Sequence, residues 1–140
     1  MKKNLITILV NQHGVLKKEV GAVAKLCEAK QLDGQKIDKL LKKFARDLQD
    51  HLDLENNTFY NQLLKAMADK GLNIKKTQEF IREMKDIEKV VLVFLKKFSQ
   101  PEAISKNSKS FVKEFQDIAS ALALRIEAEE AGVYSYWNLF

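Results

Sequence analysis

Apolar residues recur along this chain at alternating steps of four and three, in four separate stretches. The first stripe reads Leu9, His13, Leu16, Val20, Val23 and Cys27, and the second Ile37, Leu41, Phe44, Leu48, His51, Glu55 and Phe59. The third is Phe80, Met84, Ile87, Val91, Phe94 and Phe98, and the fourth Phe111, Phe115, Ile118, Leu122, Arg125, Glu129 and Val133. Such steps keep residues on one face of an α-helix, so each stretch predicts an amphipathic helix packed against neighbours. Turn signals divide them: Gln31-Leu32-Asp33-Gly34, then Asp69 to Asn73, then Ser99 to Ser108 with Pro101 and Asn107. Asp33-Gly34 and Lys70-Gly71 are expected to close helices through a left-handed glycine. Thr77, and Ser108 or Ser110, are expected to open them. The predicted helices cover residues 4–30, 35–69, 75–99 and 105–138. Short connections between long helices favour antiparallel neighbours. The expected fold is therefore all-α, an antiparallel up-down-up-down four-helix bundle forming a single domain over residues 1–140.

Three of the stripes carry polar residues at positions that should be buried, where a polar group costs free energy unless it is paired. His13 stands 18 residues before Gln31, and His51 stands 17 after Gly34. At a rise of about 1.5 Å per residue both lie roughly 26 Å from that turn, so they share a layer. Glu55 is one turn beyond His51, and Glu129 one turn beyond Arg125. Counting through Gly71 places Ile87 opposite, with Glu83 and Asp86 off the seam. The third stripe itself is wholly apolar. An internal repeat runs through the same places. His51 to Tyr60 aligns without gaps on Arg125 to Tyr134 at an offset of 74 residues, with Ala45 and Leu48 matching Ala119 and Leu122 upstream. Matching faces in the two halves of a bundle imply a pseudo-two-fold pair of hairpins that brings paired side chains together.

Charge and composition narrow the setting. The net charge of +5 comes from lysine pairs spread over several helices and interspersed with acidic residues, a solvated surface rather than a nucleic-acid patch. Cys27 is the only cysteine, so no internal disulfide forms and a reducing, cytoplasmic setting is expected. Its place on a stripe reads as a small buried hydrophobe. The apolar stretch near the N-terminus is short, is broken by Thr7 and lacks a small-residue cleavage site, so it does not read as a signal peptide. No segment approaches the roughly 20 apolar residues of a membrane span. The aromatic ending Val133-Tyr-Ser-Tyr-Trp-Asn-Leu-Phe140 is expected to cap the core in preference to making a partner contact.

The segment His51-x-x-x-Glu55 followed by an aromatic pair resembles the second-helix signature of hemerythrin-like (HHE cation-binding) domains. Arg125-x-x-x-Glu129-Glu130 is similar to their fourth-helix signature with its histidine replaced, and His13 matches their first-helix histidine. The resemblance implies a bundle holding non-haem iron, commonly two ions, in proteins that bind oxygen or sense oxygen, iron or redox state. Residue by residue, it implies metal-ligand roles for His13, His51, Glu55 and Glu129. Arg125 departs from it, because a guanidinium cannot ligate a cation. The third helix also lacks the histidine that members usually supply there. With two histidines in the chain, a full five-histidine di-iron site is excluded.

Two readings stay open. In the first, two His and two Glu form a reduced site for iron or another divalent metal. In the second, the bundle is a metal-free protein–protein interaction module in which Arg125 neutralises Glu55 and Glu129. Charge counting favours the second. No nucleophile–base pair and no glycine-rich phosphate loop points to an enzyme. A protein partner or a homodimer is compatible with the sequence, which names neither.

Overall fold

The computed structural model describes residues 2–140, so Met1, at the edge of the expected domain, lies outside the described residues. Helix α1 spans Lys2–Leu26 and α2 spans Gly34–Leu54. Through one π-helical turn, Glu55–Phe59, α2 runs on into α3, Tyr60–Asp69. Then come α4 (Lys75–Lys97), a short α5 (Pro101–Lys106), α6 (Ser108–Ala131) and a terminal α7 (Val133–Trp137). There is no strand among the described residues. The chain is an all-α bundle, as the stripes predict.

Side-chain pairings fix the directions of the helices. Gln12 meets His51 while Glu19 meets Lys43, so α1 and α2 run oppositely. Asn56 meets Glu88 and Met67 meets Thr77, which sets the second segment against α4 in the same way. Arg125 with Glu83 and Lys97 with Glu114 do so for α4 and α6.

The turns differ in part from expectation. Gly71 closes α3 with φ +70°, the left-handed conformation that glycine enters without steric cost. Asp33-Gly34 closes nothing. α1 ends at Leu26, Asp33 caps α2 by accepting the Lys36 N–H at 3.1 Å, and Gly34 is the first residue of α2. Glycine is required there because a Cβ would stand 2.6 Å from the Pro101 carbonyl oxygen of α5. Thr77 does not open α4. It lies inside the helix, buried, with its hydroxyl donating to Met67 Sδ at 3.6 Å. The fourth segment is interrupted at Gly132 instead of running unbroken to 138.

The core falls into two apolar clusters with the polar layer between them. One holds Leu16, Leu48, Leu52, Val91, Phe94 and Phe111, and the other Leu9, Phe59, Leu63, Val133, Tyr134 and Trp137. His13 thus lies between Leu16 and Leu9, and Glu55 between Leu52 and Phe59. The aromatic ending caps this second cluster: Trp137 is buried, 5.6 Å from Phe59 between ring centroids, while Tyr136 faces solvent. Cys27 is half-buried against the first cluster, and burial pushes its thiol up. No helix of the described residues is long and apolar enough to cross a membrane.

Candidate metal centre

Two stretches of stripe turn out one position away from their predicted faces. On α6, Ile126 is buried and Arg125 only half-buried. Both fit the seam after Leu122, at steps of four and three, but burying isoleucine is favourable and burying a guanidinium is costly. Arg125 therefore turns its charge toward α4, although its side chain still lines the cavity beside the polar layer. Its Nη1 donates to Glu83 on α4 at 2.9 Å, and the guanidinium lies 6.0 Å from the Phe80 ring centroid. On α4, Thr77 and Ile81 are buried while Phe80 is half-buried, so the seam in this half is rotated by one position. Glu88 is thereby brought to the inner side beside Ile87, and the third segment has a polar member after all.

His13, His51, Glu55 and Glu129 converge. Each offers one donor atom, and the four atoms lie within 4.8 Å of one another. All four side chains are buried, with Glu55 at 0% exposure. The rings of His13 and His51 stand 4.7 Å apart between centroids. Nδ1 of His13 donates to Glu130 at 2.8 Å, and Nδ1 of His51 donates to the Gln12 amide oxygen at 2.7 Å. Outward tethering of one ring nitrogen fixes the tautomer and leaves the Nε2 lone pair facing inward, the arrangement found around metal-bound histidines. The inward atoms meet carboxylates: His13 Nε2 is 3.0 Å from Glu129 Oε1, and His51 Nε2 is 3.4 Å from Glu55 Oε2.

The internal repeat now has a structural meaning. Tyr60 donates to Glu129 and Tyr134 donates to Glu55, each at 2.6 Å, so each repeat's tyrosine serves the other repeat's glutamate. In an unbroken α-helix, residues five apart point about 140° away from each other. The π turn cancels that angle in the first copy, with the Tyr60 N–H bonded to the Glu55 carbonyl. In the second copy the break at Gly132 does so.

Charge is divided unequally between the two glutamates. Burial and the neighbouring Glu55 charge push Glu129 well above the usual carboxylate range. Burial also pushes Glu55 upward, but His51, with hydrogen bonds from Glu129 and Tyr134, outweighs it and holds Glu55 below its ordinary value. Burial lowers His13 against the opposing pull of Glu130 and Glu55. Without a metal, a neutral His13 therefore faces a protonated Glu129 across the 3.0 Å between Nε2 and Oε1. Burial raises both tyrosine hydroxyls, with the glutamate charges adding to it, so both remain donors.

The donor set fits a metal ion. Ligand atoms about 2.1 Å from one centre lie about 3.0–4.2 Å apart, so the group needs to contract by only about half an ångström. Glu55 Oε1 is buried with no hydrogen-bond partner, a lone pair that a cation would satisfy. A cavity of about 30 Å³ adjoins the four side chains, close to the share of one water molecule in the liquid.

Glu88, Glu130, Gln12 and the tyrosine swap were not assigned to the site from the sequence. Glu88 had a signal in its step of four from Met84 and three to Val91, and Glu130 stands in the acidic pair beside Glu129. Burial, opposed by Asn56 and reinforced by the Glu55 charge, raises Glu88.

Among known protein families, residues 4–137 match the model of the hemerythrin HHE cation-binding domain. No curated protein and no solved structure matches the chain.

Proposed function

This chain belongs to the hemerythrin HHE cation-binding domain family, and from that premise we propose that His13, His51, Glu55 and Glu129 bind a divalent metal, iron foremost, in a reduced version of the family's site. The observation that carries the reading is the convergence of four buried donor atoms with both histidines tethered outward by Nδ1. Imidazole together with carboxylate suits iron, zinc and manganese. Iron, when bound, supplies reversible one-electron chemistry and Lewis acidity.

The protein's own side chains orient the ligands, withhold bulk water and hold one proton at Glu129. We assign the site to binding or sensing of oxygen, iron or redox state rather than to catalysis, since no nucleophile–base pair adjoins it. The metal-free alternative, an interaction module, requires Arg125 to neutralise Glu55 and Glu129. Its contact with Glu83 instead leaves those carboxylates to a cation.

Anaerobic addition of ferrous iron to untagged protein, followed by desalting and metal analysis, tests the proposal. About one equivalent should be retained, and Glu55→Gln should retain little. Retention of none by the unaltered protein refutes the metal site.

A further inference from the structure

The cavity beside the four-donor group has a second wall, formed by α4. His13, His51, Glu55 and Glu129 lie on one side, and Met84, Ile87, Glu88 and Val91 on the other. Glu88 is the one residue of that α4 wall with an oxygen donor; Met84 offers only a soft thioether. α4 contains neither histidine nor cysteine, so a ligand from this helix that suits a hard divalent ion is a carboxylate. We propose that Glu88 is the α4 ligand of the metal site, a third carboxylate closing the coordination sphere across the cavity from His13 and His51. The inference rests on the metal-site reading above and adds to it a residue and a helix.

Three observations support it. Glu88 is held in place by Asn56, whose Nδ2 donates to Oε1 at 3.2 Å and Oε2 at 3.5 Å, and Asn56 directly follows Glu55 in the π turn. The carboxylate is thus anchored beside the cavity by a neutral amide; among the described residues it forms no ion pair with a lysine or arginine, and Lys85 acts on it only through space. Glu55, whose Oε1 is buried without a hydrogen-bond partner, lines the same cavity. Glu83, five residues earlier on α4 and so on a different face, is mostly exposed and is paired with Arg125. Two carboxylates on one helix thus have different assignments, one to a cation on the protein and one to a cation in the cavity. A third carboxylate also changes which ions suit the site, because oxygen-rich, more negative donor sets favour harder and more highly charged cations.

Cobalt(II) is the probe, as a divalent ion whose visible bands report the number and type of ligands. The unaltered protein, Glu88→Gln, Glu88→His and Glu83→Gln are each titrated anaerobically, with circular dichroism as the check on folding. Glu88→Gln should bind cobalt at least tenfold more weakly, with altered band intensities. Glu88→His, which offers a nitrogen ligand at the same place, should keep tight binding with shifted bands. Glu83→Gln, which removes the same charge from the same helix, should match the unaltered protein. If Glu88→Gln equals the unaltered protein in affinity and spectrum, Glu88 is no ligand while the four-residue site stands. If Glu88→His folds but binds as weakly as Glu88→Gln, the ligand assignment is likewise overturned. If the unaltered protein takes up no cobalt, the metal-site reading fails and this inference fails with it.

Discussion

At the scale of single residues, one arginine separates the two readings of the buried layer. A buried guanidinium between Glu55 and Glu129 would be their only permanent counter-charge, and its removal would leave carboxylates uncompensated at a cost of about 3–5 kcal/mol. In the structure Arg125 is instead paired with Glu83, whose side chain is 57% exposed, and pairs of that kind contribute about 0–1 kcal/mol. Arg125→Ala is therefore expected to lower stability by less than about 1 kcal/mol in urea denaturation and to leave metal uptake intact. A loss of 3 kcal/mol or more would restore the metal-free layer. The glutamates find their partners within the layer, through the crossed hydrogen bonds of Tyr60 and Tyr134 and the inward nitrogens of His13 and His51. Burial lowers His13, so it brings no full positive charge to Glu129 at neutral pH.

At the scale of elements, two local irregularities do the work of aiming. The π turn at Glu55–Phe59 and the break at Gly132 each let a residue five positions on return to the inner face. A Cβ on residue 132 would stand 2.7 Å from the Ala128 carbonyl oxygen, a backbone atom that cannot swing aside. Gly132→Ala should thus cost about 1–3 kcal/mol, by overpacking at a constrained position. It should also displace Tyr134 from Glu55, detectable as a changed near-ultraviolet tyrosine signal. An unchanged melting curve and spectrum would show that the break does not aim Tyr134.

The same elements show what the sequence makes legible. Four amphipathic helices, the shared height of His13 and His51, and the pairing of Glu55 with Glu129 all follow from spacing, because a helix converts residue count directly into height and angle. Spacing alone is ambiguous by one position wherever steps of three and four both fit. There, packing decides in favour of Ile126 over Arg125 and brings Glu88 to the inner side of α4. The π turn is invisible for a related reason: Glu55-Asn-Asn-Thr-Phe59 has no glycine or proline to mark an irregularity, which only its i→i+5 hydrogen bond defines.

At the scale of the whole molecule, the layer between two apolar clusters couples metal binding to folding. A ligand bound only by the folded state stabilises it by about 2.7 kcal/mol at a hundred times its Kd. The proton on Glu129 makes this gain depend on pH. Glu129 has a raised folded value, so in the metal-free protein its contribution is fully present below the ordinary carboxylate value near 4.5 and is lost as pH climbs through the raised one. His13 acts oppositely. Its folded value is lowered, so stability rises with pH until the ordinary imidazole value near 6.5 is passed. Between these limits the two slopes oppose each other. Metal binding couples to the raised group, because Glu129 must give up its proton to become a ligand. Affinity should then rise by up to about tenfold per pH unit and level off once Glu129 has ionised. Melting curves from pH 5 to 8, with and without cobalt(II), should show a metal-induced increase in melting temperature that widens toward high pH. An increment independent of pH would mean that no proton leaves Glu129 on metal binding, and would remove it from the ligand set.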